Sequence, residues 1–243
     1  MSNPLSVVIN ADAQQVWTSL REPGEIARWH GWEVEGLAEE IQEIYFKDSV
    51  LEAPDHLSLS LGGGDVFTLE PVAAGTRVSI VRAAPDPDSP WAAWEADITE
   101  GWVMFLHQLK FALERHPHAA RRSTFLQATL DRNGRPALEI LGLDQIPEEG
   151  QNYSLHLPTG EEITGRVWYK TPDQVGLTVR EYADHGDGLL IASAQAPMPD
   201  SRPNGGLMVN ISSYGLGAHQ LEALRQRWES WRASAFHESE PNS

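Results

Sequence analysis

The sequence predicts an α+β fold in which a curved antiparallel sheet wraps around one long helix. Residues 8–17 predict a strand that runs directly into a capped helix. Residues 101–106 lie in the middle of a long amphipathic helix, and the segments between these two stretches are mostly strand-like. A long helix laid across a strongly curved sheet encloses a cavity, so the same pattern predicts a binding pocket.

The composition is that of an ordinary globular protein. The chain has 243 residues, of which 41% are hydrophobic and 22% charged, enough for one large domain or two small ones. No run approaches the roughly 20 apolar residues needed to cross a bilayer, and the N-terminus lacks the segments of a signal peptide. Because cysteine is absent, disulfides and thiolate metal sites are excluded, and we expect a cytoplasmic protein.

The charge excludes one class of partner. The 35 acidic residues against 18 basic ones give a net charge of −17. Such a field repels nucleic acid and anionic lipid, and it would attract a basic partner. A solubilising surface is the simpler interpretation of the excess.

The first half predicts helices at both ends and short strands between them. A strand over residues 5–10 leads to Asp12 as the N-cap of a first helix, with Gln15 in the capping-box position. A second, short helix is expected over residues 25–29. The alternating and apolar runs that follow predict four strands, over residues 41–46, 57–61, 66–69 and 77–81.

The strongest periodic signal is the apolar stripe over residues 91–113, where large side chains recur at steps of three or four. Ser89 is expected as the N-cap, with Pro90 at the first helical position and Pro117 beyond the end. Gly101 interrupts the stripe and lowers helix stability by about 1 kcal/mol relative to alanine. This predicts a close approach of the helix to the sheet, or a bend over it.

The second half predicts further strands and a closing helix. A hairpin is expected from strands over residues 124–130 and 137–141 around a turn at 131–134. An apolar stripe from Leu216 to Trp231 predicts the helix. We therefore divide the chain into a domain over residues 1–116, a linker over 117–123, a β-rich unit over 124–236 and a disordered tail over 237–243. The remaining strands are expected over residues 152–157, 165–170, 175–182, 189–195 and 207–212.

A weak internal repeat supports two units. Ile-Tyr-Phe-Lys at residues 44–47 is similar to Val-Trp-Tyr-Lys at residues 167–170, and each stretch enters a turn with aspartate and proline nearby. Strands and then a C-terminal helix follow in both halves. The order predicts two tandem β-rich units, each closed by a helix.

The first half resembles a known family. Val8-Ile9-Asn10-Ala11, Val16-Trp17, Pro23-Gly24-Glu25-Ile26, Trp29 and residues 101–109 resemble, in order and spacing, the START/SRPBCC superfamily. Within it they are most similar to the family of homologues of the activator of heat-shock protein 90 ATPase. The resemblance covers roughly residues 4–116 and implies a helix-grip fold. The second half resembles that fold only in its strands and last helix, which implies a degenerate second unit or an unrelated extension.

Residues at the mouth of the expected cavity, Trp29 and Trp32, and along its wall are the candidates for a ligand pocket, and most of them are aromatic. Aromatic side chains offer large apolar surfaces with polar handles, which suits apolar ligands carrying a few polar groups. Core packing is the alternative for these positions, and helical spacing favours it for Trp17, Trp94 and Trp102. The candidate pocket residues are Trp29, Trp32, Tyr45, Met104, Phe105 and His107.

Other patterns favour structural roles over chemistry. His107 as a general base would need a partner such as Glu43 or Glu52 on the sheet. His116 and His118 are explained by the dipole at a helix C-terminus, without a metal. Residues 184–188 lack the ligand spacing of a calcium loop and predict a hairpin turn. We therefore assign no catalytic residue, metal or cofactor from the sequence.

Three functions remain open from the sequence. The preferred one is a non-catalytic binding protein whose cavity takes a small hydrophobic or amphipathic molecule, because burial of apolar surface alone supplies micromolar affinity. The second is a chaperone-associated interaction module, as the resemblance implies. The third is a cyclase- or hydrolase-type enzyme that uses the same cavity. No nucleic acid and no membrane insertion are expected, and the oligomeric state is left open.

Overall fold

The computed structural model describes residues 5–47, 50–53, 55, 57–84, 88, 92–132 and 134–236. The chain divides into unit 1, Met1–Ala119, and unit 2, Ala120–Ser243. Each unit has one antiparallel sheet, and the described residues form six α-helices. This confirms the α+β class and is consistent with a helix-grip-like fold. None of the described helices combines the length and the apolarity required to span a bilayer.

Unit 1 has a five-stranded sheet in the order β1-β5-β4-β3-β2, so that its first strand pairs with its last. The long last helix contacts the first strand of the sheet. The elements are β1 (Leu5–Ile9), α1 (Ala13–Arg21), α2 (Pro23–Ile26), α3 (Leu37–Phe46), β2 (Leu51–Ala53), β3 (Ser58–Ser60), β4 (Val66–Val72), β5 (Gly75–Val81) and α4 (Glu95–Arg115).

The start of unit 1 follows its local sequence. Asp12 caps α1, because its Oδ1 accepts a hydrogen bond of 2.8 Å from the Gln15 backbone N–H, as predicted. The turn into β5 requires glycine at position 75. Gly75 has φ +125°, and an added Cβ would lie 2.1 Å from the Ile9 carbonyl oxygen. This close approach brings β5 against the end of β1.

The predicted strand over residues 41–46 is wrong, because this segment belongs to α3. Ile41 and Tyr45, four residues apart, are the buried residues of this helix. Glu39 and Glu40 in its first turn complement the helix dipole. The repeat between residues 44–47 and 167–170 therefore has no structural counterpart, since one member is helical and the other extended.

The long helix α4 is confirmed, but the close approach to the sheet expected at its glycine is wrong, and a bend there stays a prediction. It is preceded by a 3₁₀ turn at Ala92–Trp94, and the predicted cap at Ser89-Pro90 lies outside the described residues. An added Cβ at Gly101 would meet no described atom within 4 Å beyond the neighbouring helix backbone. No close approach to the sheet therefore explains Gly101.

Unit 2 has a six-stranded sheet in the order β6-β11-β10-β9-β8-β7. Its first strand again pairs with its last, and its last helix contacts its first strand. The elements are β6 (Arg121–Thr129), α5 (Ala137–Ile140), β7 (Asn152–His156), β8 (Glu162–Lys170), β9 (Gln174–Val179), a 3₁₀ turn (Arg180–Tyr182), β10 (Gly188–Gln195), β11 (Gly206–Tyr214) and α6 (Ala218–Ala235).

The hairpin predicted over residues 124–141 is wrong. A turn does form, with the Gly134 N–H donating to the Asp131 carbonyl at 3.0 Å. The chain then enters helix α5 after Pro136, and β6 pairs with β11 instead. Residues 121–123, expected as linker, are the first part of β6. Unit 2 thus has a helical segment after its first strand, which the sequence does not predict. The tail at residues 237–243, expected to be disordered, lies outside the described residues.

The helix α6 closes unit 2 as predicted. Its buried residues Leu221, Leu224, Trp228 and Trp231 recur at steps of three and four and belong to the core of the unit. The side chain of Gln220 caps the helix start, because its Oε1 accepts a hydrogen bond of 2.9 Å from the Gly217 N–H. This first turn of α6 borders the cleft described below.

Candidate functional site

The predicted pocket residues in unit 1 differ in their burial. Trp29, Tyr45 and Met104 are at most 1% exposed, and the first two belong to the hydrophobic core of the unit. Trp32, Phe105 and His107 are partly buried. A small cavity beside Trp29 has a volume of only about 10 Å³, room for a single water molecule. A ligand pocket at these six positions stays a prediction.

The structure brings Trp29, Tyr45 and Phe105 together around His30. The His30 ring centroid lies 5.7 Å from that of Trp29, 5.3 Å from that of Tyr45 and 4.6 Å from that of Phe105. The rings of Trp29 and Tyr45 meet edge to face. The Trp102 ring lies 5.8 Å from that of Phe105.

A polar chain runs through this group of rings. The Tyr45 hydroxyl lies 3.0 Å from His30 Nδ1, and His30 Nε2 lies 3.3 Å from Glu40 Oε1. Because a carboxylate only accepts, Nε2–H donates to Glu40, and in the neutral imidazole Nδ1 then accepts from the Tyr45 hydroxyl. The hydrogen bond from His30 lowers the pKa of Glu40, and burial raises the pKa of Tyr45 well above its usual value. Tyr45 is therefore a protonated donor at neutral pH, not a nucleophile.

The sequence does not predict that His30 and Glu40 are partners. His30 lies between Trp29 and Trp32 in the sequence, without a motif around it. A strand is expected over residues 41–46, directly after Glu40, and a strand would not place Glu40 on the same element as Tyr45. The only available signal was the helical spacing of Ile41, Ile44 and Tyr45.

The contacts of Glu43 and Glu52 do not favour His107 as a general base. Glu43 lies on α3, not on the sheet, and pairs with Lys47, while Glu52 pairs with Arg21. Burial, together with the positive charge of Lys110, lowers the pKa of His107 to about 3. Such an imidazole is neutral across the physiological range and is a weak base.

This low pKa predicts a pH-dependent stability. Below about pH 6.5 the unfolded chain protonates His107 but the folded chain does not, so unfolding is favoured by about 1.4 kcal/mol per pH unit until the pH nears 3. The loss is thus absent above pH 6.5 and grows as the pH falls. His107→Gln is expected to remove about 2 kcal/mol of the stability difference between pH 7 and pH 5, measured by urea unfolding. The exposed His118→Gln is the control, and an unchanged pH dependence in His107→Gln would contradict the prediction.

The other histidine and aspartate patterns form no metal centre among the described residues. His116 is buried at the end of α4, with its ring 5.6 Å from that of Phe111, whereas His118 is exposed. Asp184 donates its backbone N–H to the Tyr214 carbonyl in the segment before β10.

Unit 2 contains a cleft of about 440 Å³ between α6, the turn before β8 and the 3₁₀ turn after β9. We call it the α6 cleft. Its volume is within the range of small-molecule sites. Its lining combines apolar residues of α6 with charged residues from the sheet side. The lining residues are Gly160, Glu161, Glu162, Glu181, Tyr182, Leu216, His219, Gln220, Ala223, Leu224 and Arg227.

Glu161 is the centre of the polar side of the α6 cleft. Its side chain is only 10% exposed and accepts hydrogen bonds from Arg227 Nη1 at 2.6 Å, Thr159 Oγ1 at 2.9 Å and the Tyr182 hydroxyl at 3.2 Å. The Trp228 indole N–H donates to the same hydroxyl at 3.2 Å. Burial, followed by the charge of Glu161, raises the pKa of Tyr182 well above its usual value. The network fixes the cleft wall against α6.

The α6 cleft was not predicted from the sequence. Its residues come from segments separated by up to about seventy positions, and none of them forms a motif. The sequence predicts only a connection between two strands at residues 158–164. The sole local signal was the amphipathic pattern of α6, which predicts a buried face but not an opening beside it.

Comparisons with known proteins give no family. No family model and no curated protein matches the chain. Among solved structures the chain is similar to the crystal structure of DynU16, described as a protein in the dynemicin biosynthetic locus. The identity is 18%, the match covers 96% of each chain, and the TM-score is 0.32. The chemistry of the site therefore rests on the residues of this chain alone.

Proposed function

We propose that this chain is a non-catalytic binding protein and that the α6 cleft takes a small amphipathic molecule. The observation that carries the proposal is the cleft itself, a volume of about 440 Å³ with both apolar and charged walls. The Glu161 network supports it, because a wall held by several hydrogen bonds stays open and ordered before a ligand arrives.

The sequence resemblance covers roughly residues 4–116, and the strand order shared by the two units extends what it implies to unit 2. A helix-grip fold implies a cavity between a sheet and its C-terminal helix, and the α6 cleft lies beside the C-terminal helix of unit 2. The matching strand orders, in which the first strand of each unit pairs with its last, support two tandem helix-grip units. In unit 1 the corresponding interior holds Trp29 and Tyr45, which are fully buried side chains. We therefore propose the α6 cleft of unit 2 as the ligand site, and a pocket at the aromatic residues of unit 1 stays a prediction.

A blocked cleft tests the proposal. Ala223 lines the cleft on α6, so Ala223→Phe fills part of it, whereas Ala233→Phe places the same ring at an exposed position of the same helix. A thermal-shift screen of lipids and aromatic metabolites should find molecules that stabilise the wild-type chain and Ala233→Phe. A ligand present at about 100 times its Kd stabilises by about 2.7 kcal/mol.

The same ligands should lose at least about tenfold in affinity on Ala223→Phe, since the added ring occupies their space. Isothermal titration of both variants measures this loss. Equal affinity for Ala223→Phe and Ala233→Phe, or no stabilising molecule in the screen, would overturn the proposal.

A further inference from the structure

The walls of the α6 cleft differ in chemistry. On the sheet side stand three carboxylates, Glu161, Glu162 and Glu181, and on α6 stands one guanidinium, that of Arg227. The Arg227 charge is matched by Glu161, because the two form an ion pair of 2.6 Å. Glu162 and Glu181 are exposed at the rim and give the cleft a negative excess.

The carboxylate of Glu181 is fixed in position. Its Oε2 accepts a hydrogen bond of 3.1 Å from the Thr164 N–H, and its Oε1 accepts one of 3.0 Å from the Thr164 hydroxyl. Its negative charge, after burial, contributes to raising the pKa of Tyr153. The Glu162 carboxylate lies at the same rim, 3.8 Å from His156 Nε2. A fixed charge needs little reorganisation to meet a ligand of opposite sign.

The opposite wall is partly apolar. Leu216, just before α6, and Ala223 and Leu224, in its second turn, line the cleft. The positive end of the α6 dipole lies nearby, but it equals only about half an elementary charge, against two exposed carboxylates. The cleft thus fits a short apolar body with one positive group better than a neutral or anionic molecule of the same size.

We propose that the α6 cleft selects a small amphipathic cation, an alkyl- or arylammonium, through Glu162 and Glu181. The inference rests on the proposed function, since it names the ligand class of the same cleft. The apolar body packs against α6, and the ammonium group faces the carboxylate rim. Arg227 remains paired with Glu161, so the inner wall is close to neutral and the ammonium is drawn to the two rim carboxylates.

Three probes of one shape test the selection: 2-phenylethylammonium, 2-phenylethanol and 3-phenylpropionate. Each is titrated into the full chain, and the amide signals of Gln220 and Ala223 and the Trp228 indole N–H signal are followed by NMR. The ammonium is expected to bind about tenfold more tightly than the alcohol, with the carboxylate weakest. Raising the ionic strength from about 20 to about 200 mM should reduce the difference in affinity between the three probes, because salt screens exposed charges.

Variants of the two rim carboxylates test whether they cause the preference for the ammonium probe. Glu162→Gln and Glu181→Gln should each weaken ammonium binding about threefold or more and leave the alcohol unchanged. Glu222→Gln is the control, an exposed carboxylate on α6 that does not line the cleft. Equal binding of all three probes would overturn the cation selection and leave cleft binding intact. If no probe shifts the three signals, both the selection and the proposed function fail for molecules of this size.

Discussion

Gly165→Ala is expected to lower the free energy of unfolding of unit 2 by about 4 kcal/mol. Gly165 lies in β8, and a Cβ added there would sit 1.8 Å from the Thr178 carbonyl oxygen and 2.8 Å from the Thr178 carbonyl carbon. Both are backbone atoms of the neighbouring strand β9, so no side-chain rotation relieves the overlap. The two strands would have to separate at this point.

The separation would also disturb polar contacts. The Thr178 carbonyl accepts a hydrogen bond of 2.8 Å from the buried Tyr153 hydroxyl, and the Thr178 hydroxyl accepts one of 2.9 Å from the Arg166 N–H. A buried hydroxyl that loses its acceptor costs about 1–3 kcal/mol. Because β8 begins at Glu162, beside the α6 cleft, weaker ligand binding should accompany the loss of stability.

Hydrogen exchange measured by mass spectrometry tests this prediction, because it reports unfolding separately for the segments of each unit. Faster exchange is expected in β7, β8 and β9, with unit 1 unchanged. Gly101→Ala is the control, the same substitution at a position where the added Cβ has space. It should leave stability unchanged or raise it by up to about 1 kcal/mol. A Gly165→Ala chain as stable as Gly101→Ala would contradict the strand packing described here.

The elements that could be predicted are those whose pattern is local. The strands of unit 2 between residues 152 and 214 alternate or run apolar between turns, and the helices α1, α4 and α6 carry caps or long stripes. Each of these patterns depends only on residues that are close together in the sequence. The α+β class follows from them directly.

The wrong predictions fall where a short apolar run fits both the two-residue period of a strand and the 3.6-residue period of a helix. Ile44-Tyr45-Phe46 satisfies both a buried strand and the inner face of a helix, and Leu37 and Ile41 upstream decide for the helix. The segment 137–141 is ambiguous in the same way. The pairing of strands is a second source of error. The strand β6 pairs with β11 and not with residues 137–141, and β11 lies about eighty positions further along the chain.

The candidate site depends even more on distant residues. The Glu161 network joins a turn, a 3₁₀ segment and a helix, and its bonds span up to 66 positions. Each of its members alone has the ordinary surface role of its residue type. Only the fold makes Glu161 a buried acceptor, so the sequence had no means of separating it from the exposed Glu162 beside it.

Asp65→Asn is expected to lower the free energy of unfolding of unit 1 by about 3 kcal/mol, almost as much as Asp65→Ala. Asp65 is buried beside the turn between β3 and β4. Its Oδ1 accepts hydrogen bonds from Arg82 Nε at 3.1 Å and the Ala83 N–H at 2.8 Å, and its Oδ2 accepts one from the Trp102 indole N–H at 2.9 Å. Both oxygens therefore face donors.

An asparagine has only one oxygen, so its NH₂ group would point at a donor whichever way the amide turns. If the oxygen faces Arg82, the buried Trp102 indole N–H loses its acceptor. If the oxygen faces Trp102, the NH₂ group meets the Arg82 guanidinium and the Ala83 N–H. Arg82 retains Glu95 at 2.9 Å and Thr99 at 3.2 Å, which keeps the loss below that of an unpaired buried charge.

Glu70→Gln is the matched control, the same carboxylate-to-amide change in an exposed ion pair with Arg77 on the same sheet. Exposed pairs contribute at most about 1 kcal/mol, so this variant should stay within about 0.5 kcal/mol of the wild type. Urea unfolding followed by tryptophan fluorescence measures all three variants. If Asp65→Asn matches Glu70→Gln, then at least one Asp65 oxygen is not an essential acceptor. Apolar packing would then hold this part of the sheet to α4, as between Phe67 of β4 and Trp102, whose rings lie 5.4 Å apart.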